Sequence, residues 1–361
     1  MRKTVVSSQR SVVSEKRADS GSDFVRSLFS ILLIALFALG AGGVAGVSAQ
    51  SIEKPKVTQA EQASKQAPPA DAEQSSAERR AAALVTEFDV NGLKVLVKRR
   101  AGSQTVAAGL FLRGGSRNIT AENAGIESLM LDVATEASTN FPRERLRSEL
   151  SRMGTLLNAS ENYDYSVLSL TSTRANFDRS WEIFTDVALR PAFTQEDFAL
   201  VKARKVSGLQ DDSDDPDTYL QRLQERVAYV GHPYLNRPQG TAESVARLNL
   251  EDVRKYHQQM MQTSRLLLVI VGDLDPAQVR ASVAATLGKL PRGTYASEPV
   301  PQLSFAAPTV EVTQRGLPTN YIQGLFTAPA LTAADIHAMQ IASSILRDRV
   351  FEEVRVKRNL S

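Results

Sequence analysis

The sequence predicts an α+β fold built as two copies of one domain, each a mixed, mainly antiparallel sheet with helices packed on one face and the second copy truncated. Three observations predict it. Strand and helix patterns alternate between residues 86 and 293 in an order that mixes a hairpin with long crossings, which argues for helices layered on one side of a sheet. The chain also repeats itself. Residues 95–111 line up without gaps with 310–326, pairing Val97 with Val312, Arg100 with Arg315, Gly109 with Gly324, Leu110 with Leu325 and Phe111 with Phe326. Finally, 361 residues that are 42% hydrophobic suffice for about two domains with real cores.

In chain order, residues 1–49 read as an export segment: basic residues, an apolar run over 28–39, then Val47-Ser48-Ala49 before Gln50. Cleavage after Ala49 is the predicted outcome. Counting 40–47 as membrane-compatible lengthens the run to a span, so an uncleaved N-terminal membrane anchor is the alternative. Both place the globular part outside the cytoplasm, in the periplasm or cell envelope. Of the 43 basic and 40 acidic residues, six basic and three acidic ones lie in these first 49, leaving 37 of each. A neutral remainder argues against nucleic-acid binding. The chain has no cysteine, so packing alone must stabilise it in an oxidising compartment.

Residues 50–85, rich in Gln, Ala, Ser, Pro, Glu and Lys without apolar period, read as a disordered linker. The first domain is predicted over 86–293. It opens with strands at 87–90 and 93–98 around Asn91-Gly92, a strong hairpin signal. A third strand at 106–112 runs into Gly114-Gly115-Ser116-Arg117, and a helix covers 124–136. Pro142 opens a charged helix that Gly154 ends. Strands at 156–160 and 165–171 follow, then helices through Trp181, over 198–209 and over 219–229. Beyond the loop from Gly231 to Gly240, a helix at 250–261, an apolar strand at 266–271 and a helix reaching Leu287 complete the domain. Four prolines between 291 and 308 mark a linker at 294–308, and 309–361 begin the second copy with strands and a helix over 332–346.

This succession resembles the insulinase and mitochondrial-processing-peptidase family of metallopeptidases. The resemblance rests on the helix after the Gly-Gly loop, the charged helix and Leu157-Asn158-Ala159-Ser160 that follow, Gly231-His232-Pro233, and the duplication. It implies an inverted zinc motif, His-x-x-Glu-His, on helix 124–136. Ser128, Leu131 and Asp132 stand at those three positions. Positions i, i+3 and i+4 share one helix face. A hydroxyl is a poor zinc ligand and a leucine cannot take a proton from bound water, so this face lacks the donors of hydrolytic zinc. A further family glutamate falls at Gly208, eight residues before Pro216. Arg355 matches a substrate-gripping arginine whose partner tyrosine would fall one residue past Ser361, so the chain reads as a piece of a longer product or one completed by a partner. Asn158, Ala159 and Ser160 match the edge strand that pairs with extended substrate, a task needing no catalytic group.

The implied function is a non-catalytic subunit of an exported zinc-dependent peptidase. It would carry no cofactor itself, grip extended peptide, and close the chamber of a sister chain that holds the zinc. The alternatives are a stand-alone peptide-binding or scaffold protein of the cell envelope, and a zinc endopeptidase with displaced ligands. His232, His257 and His337 show no ligand spacing and read as structural. Asp132 and Glu136 read as a solvated or partner-facing acidic stripe, and the Asp211–215 run as a solvated helix end without the spacing of a calcium loop.

Overall fold

A computed structural model describes residues 84–305 and 307–360, so the predicted export segment and nearly all of the predicted linker lie outside the described residues. The described residues fall into two units, 84–325 and 326–360.

In the first unit, β1 (Val85–Val90) and β2 (Leu93–Arg99) form the predicted hairpin around Asn91, whose φ is 53°, and Gly92, whose φ is 85°. Next come β3 (Thr105–Arg113), α1 (Ile126–Ala134), α2 (Arg143–Met153), β4 (Leu156–Glu161), β5 (Tyr165–Thr173) and α3 (Phe177–Leu189). The run continues with α4 (Gln195–Asp214), α5 (Pro216–Ala228), α6 (Ala242–Arg247), α7 (Leu250–Met260), β6 (Leu266–Gly272) and α8 (Pro276–Ala285). Local chemistry sets the ends. Gly154 closes α2 in the left-handed region. Asp215 separates α4 from α5 because its side chain caps the second helix and Pro216 cannot donate an N–H to continue the first. The short α6, unmarked in the periodicity, starts in a capping box between Thr241 and Ser244.

The six strands make one sheet in the order β1-β2-β6-β3-β5-β4. Only β2 and β6 run parallel, and the other pairs are antiparallel. The strand carrying Asn158, Ala159 and Ser160 is therefore an edge. On the sheet face that meets the helices, Leu93, Val95, Val97, Val106, Leu110, Leu168, Leu268 and Ile270 join Leu129, Met130, Ile183, Phe184 and Val253 in one core. Burial of this kind contributes about 25 cal/mol per Å² of apolar surface, and it fixes the register, since a one-residue slip would turn each strand's apolar set outward.

The second unit holds α9 (Ile336–Val350), continued by a wide helical turn, Phe351–Val356. The strands expected after residue 309 do not form: 308–330 has no strand, and Val310, Val312 and Phe326 are 85%, 75% and 84% exposed. Their counterparts Val95, Val97 and Phe111 are buried in the first sheet. Among the described residues no neighbouring strand offers the second copy a ladder, and an isolated hairpin in water is marginal at best.

Candidate functional site

The site is built on α1, and its entry is fixed by backbone crossing backbone. Gly125 caps α1 with φ 92°, and a Cβ there would lie 2.8 Å from the Gln239 carbonyl oxygen and 2.7 Å from a Val245 methyl. Gly240, in turn, would place a Cβ 2.5 Å from the Ala124 carbonyl oxygen. Both positions need glycine for the close approach and for the left-handed conformation. The Ser244 hydroxyl donates to the same Ala124 oxygen at 2.8 Å, tying the loop to the start of α1.

One turn in, Glu127 is 3% exposed, and its carboxylate accepts from the Tyr256 hydroxyl at 2.6 Å and from Asn118 Nδ2 at 3.2 Å. Burial pushes the Glu127 carboxyl above its usual range, against the hydrogen bonds, and burial together with the nearby Glu127 charge pushes Tyr256 well above its own. Glu127 therefore anchors α1 to α7 and points away from the motif face.

On that face Ser128 and Leu131 are buried, and Asp132 is about one-third exposed. Lys205 of α4 reaches across to both polar positions. Its Nζ donates to Ser128 Oγ at 2.6 Å and to Asp132 Oδ2 at 2.7 Å, with the side chain only 15% exposed. One turn further, Glu136 accepts from Arg147 of α2 at 2.8 Å and from Arg204 of α4 at 2.9 Å. Arg143 stands 3.8 Å from Glu136 and is ion-paired with Asp197, a first-turn residue of α4 that also accepts from the Thr194 hydroxyl. Burial raises the Glu136 carboxyl, but the two arginine hydrogen bonds and the Arg143 charge outweigh it, so the net shift is downward. An open groove of about 380 Å³ runs along this seam, lined by Asp132, Thr135, Glu136, Val201, Arg204 and Lys205.

Both acids are ion-paired within the chain, where the sequence led to a solvated or partner-facing stripe, and Asp132 keeps about a third of its side chain exposed at the groove. Two of the cations, Lys205 and Arg204, come from residues some 70 positions away. A cluster in the sequence, Lys202-Ala203-Arg204-Lys205, marks that basic surface, but nothing local says which acids it meets. Gly208 lies almost one turn past Lys205, exposed, with nothing within 4 Å of a Cβ placed there. The residue of α4 that faces Ser128 and Asp132 is Lys205. These side chains do not fit zinc: Asp132, the one carboxylate among Ser128, Leu131 and Asp132, is already paired with an ammonium, and Leu131 is apolar. Among the described residues no group of three His, Cys, Asp or Glu side chains is arranged around a common point.

Beside the site, β4 pairs with β5 alone and packs against α1. Asn158 and Ser160 are exposed, and Ala159 is half-buried between them. Arg355 lies in the second unit, 5.6 Å above the Phe351 ring. Two of the histidines are structural partners: His232 Nδ1 accepts from the Tyr234 amide, His232 Nε2 meets the Pro301 carbonyl at 2.9 Å, and His257 Nε2 meets that of Ala188 at 2.9 Å, while His337 is exposed on α9.

Residues 94–234 match the insulinase family, peptidase family M16, and residues 247–361 match the M16 peptidase inactive domain. The chain belongs to the M16 peptidase family. Among M16 relatives, it is 24% identical over 267 residues to bovine mitochondrial cytochrome b-c1 complex subunit 1, covering 73% of this chain and 55% of that one. It is 25% identical over 193 residues to the zinc protease PqqE of Helicobacter pylori, covering 52% and 43%. It is also 22% identical over 190 residues to the non-peptidase homolog YmxG of the same organism, covering 53% and 44%. The chain spans about half the length of these relatives. Solved structures share the fold. An M16 inactive domain from Pseudomonas fluorescens has TM-score 0.56 at 20% identity, covering 61% of this chain and 54% of that one. The first half of the periplasmic protease PqqL of Escherichia coli has TM-score 0.52 at 19% identity, covering 60% and 48%.

Proposed function

We propose that this chain is a non-catalytic subunit of an exported M16-type peptidase, holding extended peptide for a sister chain that carries the zinc. The observation that carries the reading is the motif face itself: Ser128, Leu131 and Asp132, with Lys205 clamped over them, beside an unpaired sheet edge. A helix that has lost its hydrolytic groups while its setting is kept suits a chain that supplies shape and backbone recognition rather than chemistry. An edge strand binds an extended peptide through main-chain hydrogen bonds, with no demand on its own side chains. The likeness to YmxG, a non-peptidase homolog, and to PqqL, a periplasmic protease, supports an accessory role outside the cytoplasm. In this reading residues 1–49 export the chain, 86–293 form the peptide-holding domain, 294–308 link it, and 309–361 begin the second copy, in which Arg355 grips the substrate main chain.

The test is reconstitution. Peptidase activity is expected only when the mature chain is mixed with a sister carrying an intact His-x-x-Glu-His, and it should fall when Arg355→Ala is introduced. Failure of the two chains to associate would overturn the reading. A second reading, a stand-alone peptide-binding protein of the envelope, rests on the same open β4 edge. It requires that the chain alone retain extended peptide in the presence of a chelator.

A further inference from the structure

We infer that Lys205 is a built-in cation at the metal position: its ammonium, held between Ser128 and Asp132, closes the site to metal and takes over the work of joining α1 to α4. A three-ligand metal centre on this scaffold needs two donors one turn apart on one helix and a third group reaching in from another element. The Lys205 Nζ occupies the point where those lines meet, 2.6 Å from the side chain at the first position and 2.7 Å from the side chain at the last. The charges also balance locally. One ammonium faces one carboxylate, Asp132, while the next acid along the face, Glu136, is taken by Arg147 and Arg204. A divalent ion entering here would meet an ammonium already in place and no unpaired anion.

This has a consequence for the loss of metal chemistry. Restoring the three motif residues would leave the positive charge of Lys205 at the seat, so the restored face would still repel a metal. The lysine, as much as the motif, keeps the site closed. The inference rests on α1 being the motif helix of the family and is independent of whether a sister chain exists.

The experiment is a cobalt titration of the full chain, read by the optical absorption of bound Co²⁺. Ser128→His, Leu131→Glu and Asp132→His are combined first with Lys205 kept and then with Lys205→Glu, and folding is checked by circular dichroism. The combination that keeps Lys205 is expected to bind no stoichiometric Co²⁺, and the one with Lys205→Glu to bind one equivalent. Equal binding by both, or none by a folded Lys205→Glu combination, overturns the inference.

Should the combined variants fail to fold, the native chain still decides. Lys205→Met and Asp132→Asn should each lower Tm, and the double variant should be no worse than Lys205→Met alone, because the two side chains act as one unit. Additive losses overturn the inference. If the cobalt result fails while the chain still assembles with its sister, the cation reading alone falls. If the cobalt result holds and assembly fails, the subunit reading alone falls.

Discussion

Glu127, Gly125 and Lys205 show how much of this site is decided by single side chains. Glu127 is buried with its carboxyl raised by desolvation, so the folded state binds its proton more tightly than the unfolded chain does. The contribution of a raised carboxyl is fully present below its unfolded value, near pH 4, and is lost as pH rises through the folded one. Glu127→Gln, which keeps a group able to accept from Tyr256, should therefore flatten the decline of stability with pH above about 4. Urea unfolding across a pH series measures it, and an unchanged slope would refute it. Gly125→Ala is expected to cost roughly 2 kcal/mol or more, because the residue is left-handed and the added Cβ meets the Gln239 carbonyl. A shift in the urea midpoint reads that directly, and a neutral result would mean that the loop around Gly240 yields.

Two elements carry the functional proposals, the α1–α4 seam and the β4 edge. At the seam, Glu136 has a lowered carboxyl, the opposite case to Glu127. Its stabilisation is present above the unfolded carboxylate value, near pH 4, and is lost as pH falls through the lower folded one. Glu136→Gln should cost about 1 kcal/mol or less at pH 7, since Arg147 and Arg204 are more than half exposed and regain water, and should make acid unfolding less steep below about pH 4. Equal losses at pH 7 and pH 3 would contradict this. Along β4, successive residues turn their N–H and C=O groups alternately toward β5 and toward the open edge. A proline scan over Leu157, Asn158, Ala159 and Ser160 should split with a period of two. Outward positions should lose peptide retention and keep Tm, and inward positions should lose Tm. If retention ignores the outward prolines, peptide does not add to this edge.

For the whole molecule, the duplicated sequence has two outcomes. Residues 95–111 form two strands inside a six-stranded sheet, while 310–326, with matching residues, form none. If a sister chain completes this half, amide exchange over 310–326 should be fast in the isolated chain and slow by at least about ten-fold on assembly. Exchange that stays fast in a formed complex would show that the sister does not pair with these residues.

Periodicity and turn chemistry by themselves determined the first domain: the hairpin at Asn91-Gly92, the strands at 106–112 and 266–271, the helix bounded by Pro142 and Gly154, and the α+β class. These are local signals, each readable within a dozen residues. The sequence also placed Ser128, Leu131 and Asp132 on one side of α1, because the helical repeat fixes which side chains share a face. Folding alone decided what meets that face. Lys205 lies 73 residues from Asp132, and Arg204 lies 68 from Glu136, so no local pattern pairs them. Tertiary context likewise decided that Val95 and Val97 are buried in a ladder and Val310 and Val312 are not. A strand is stabilised by its neighbours, and its own residues cannot supply them.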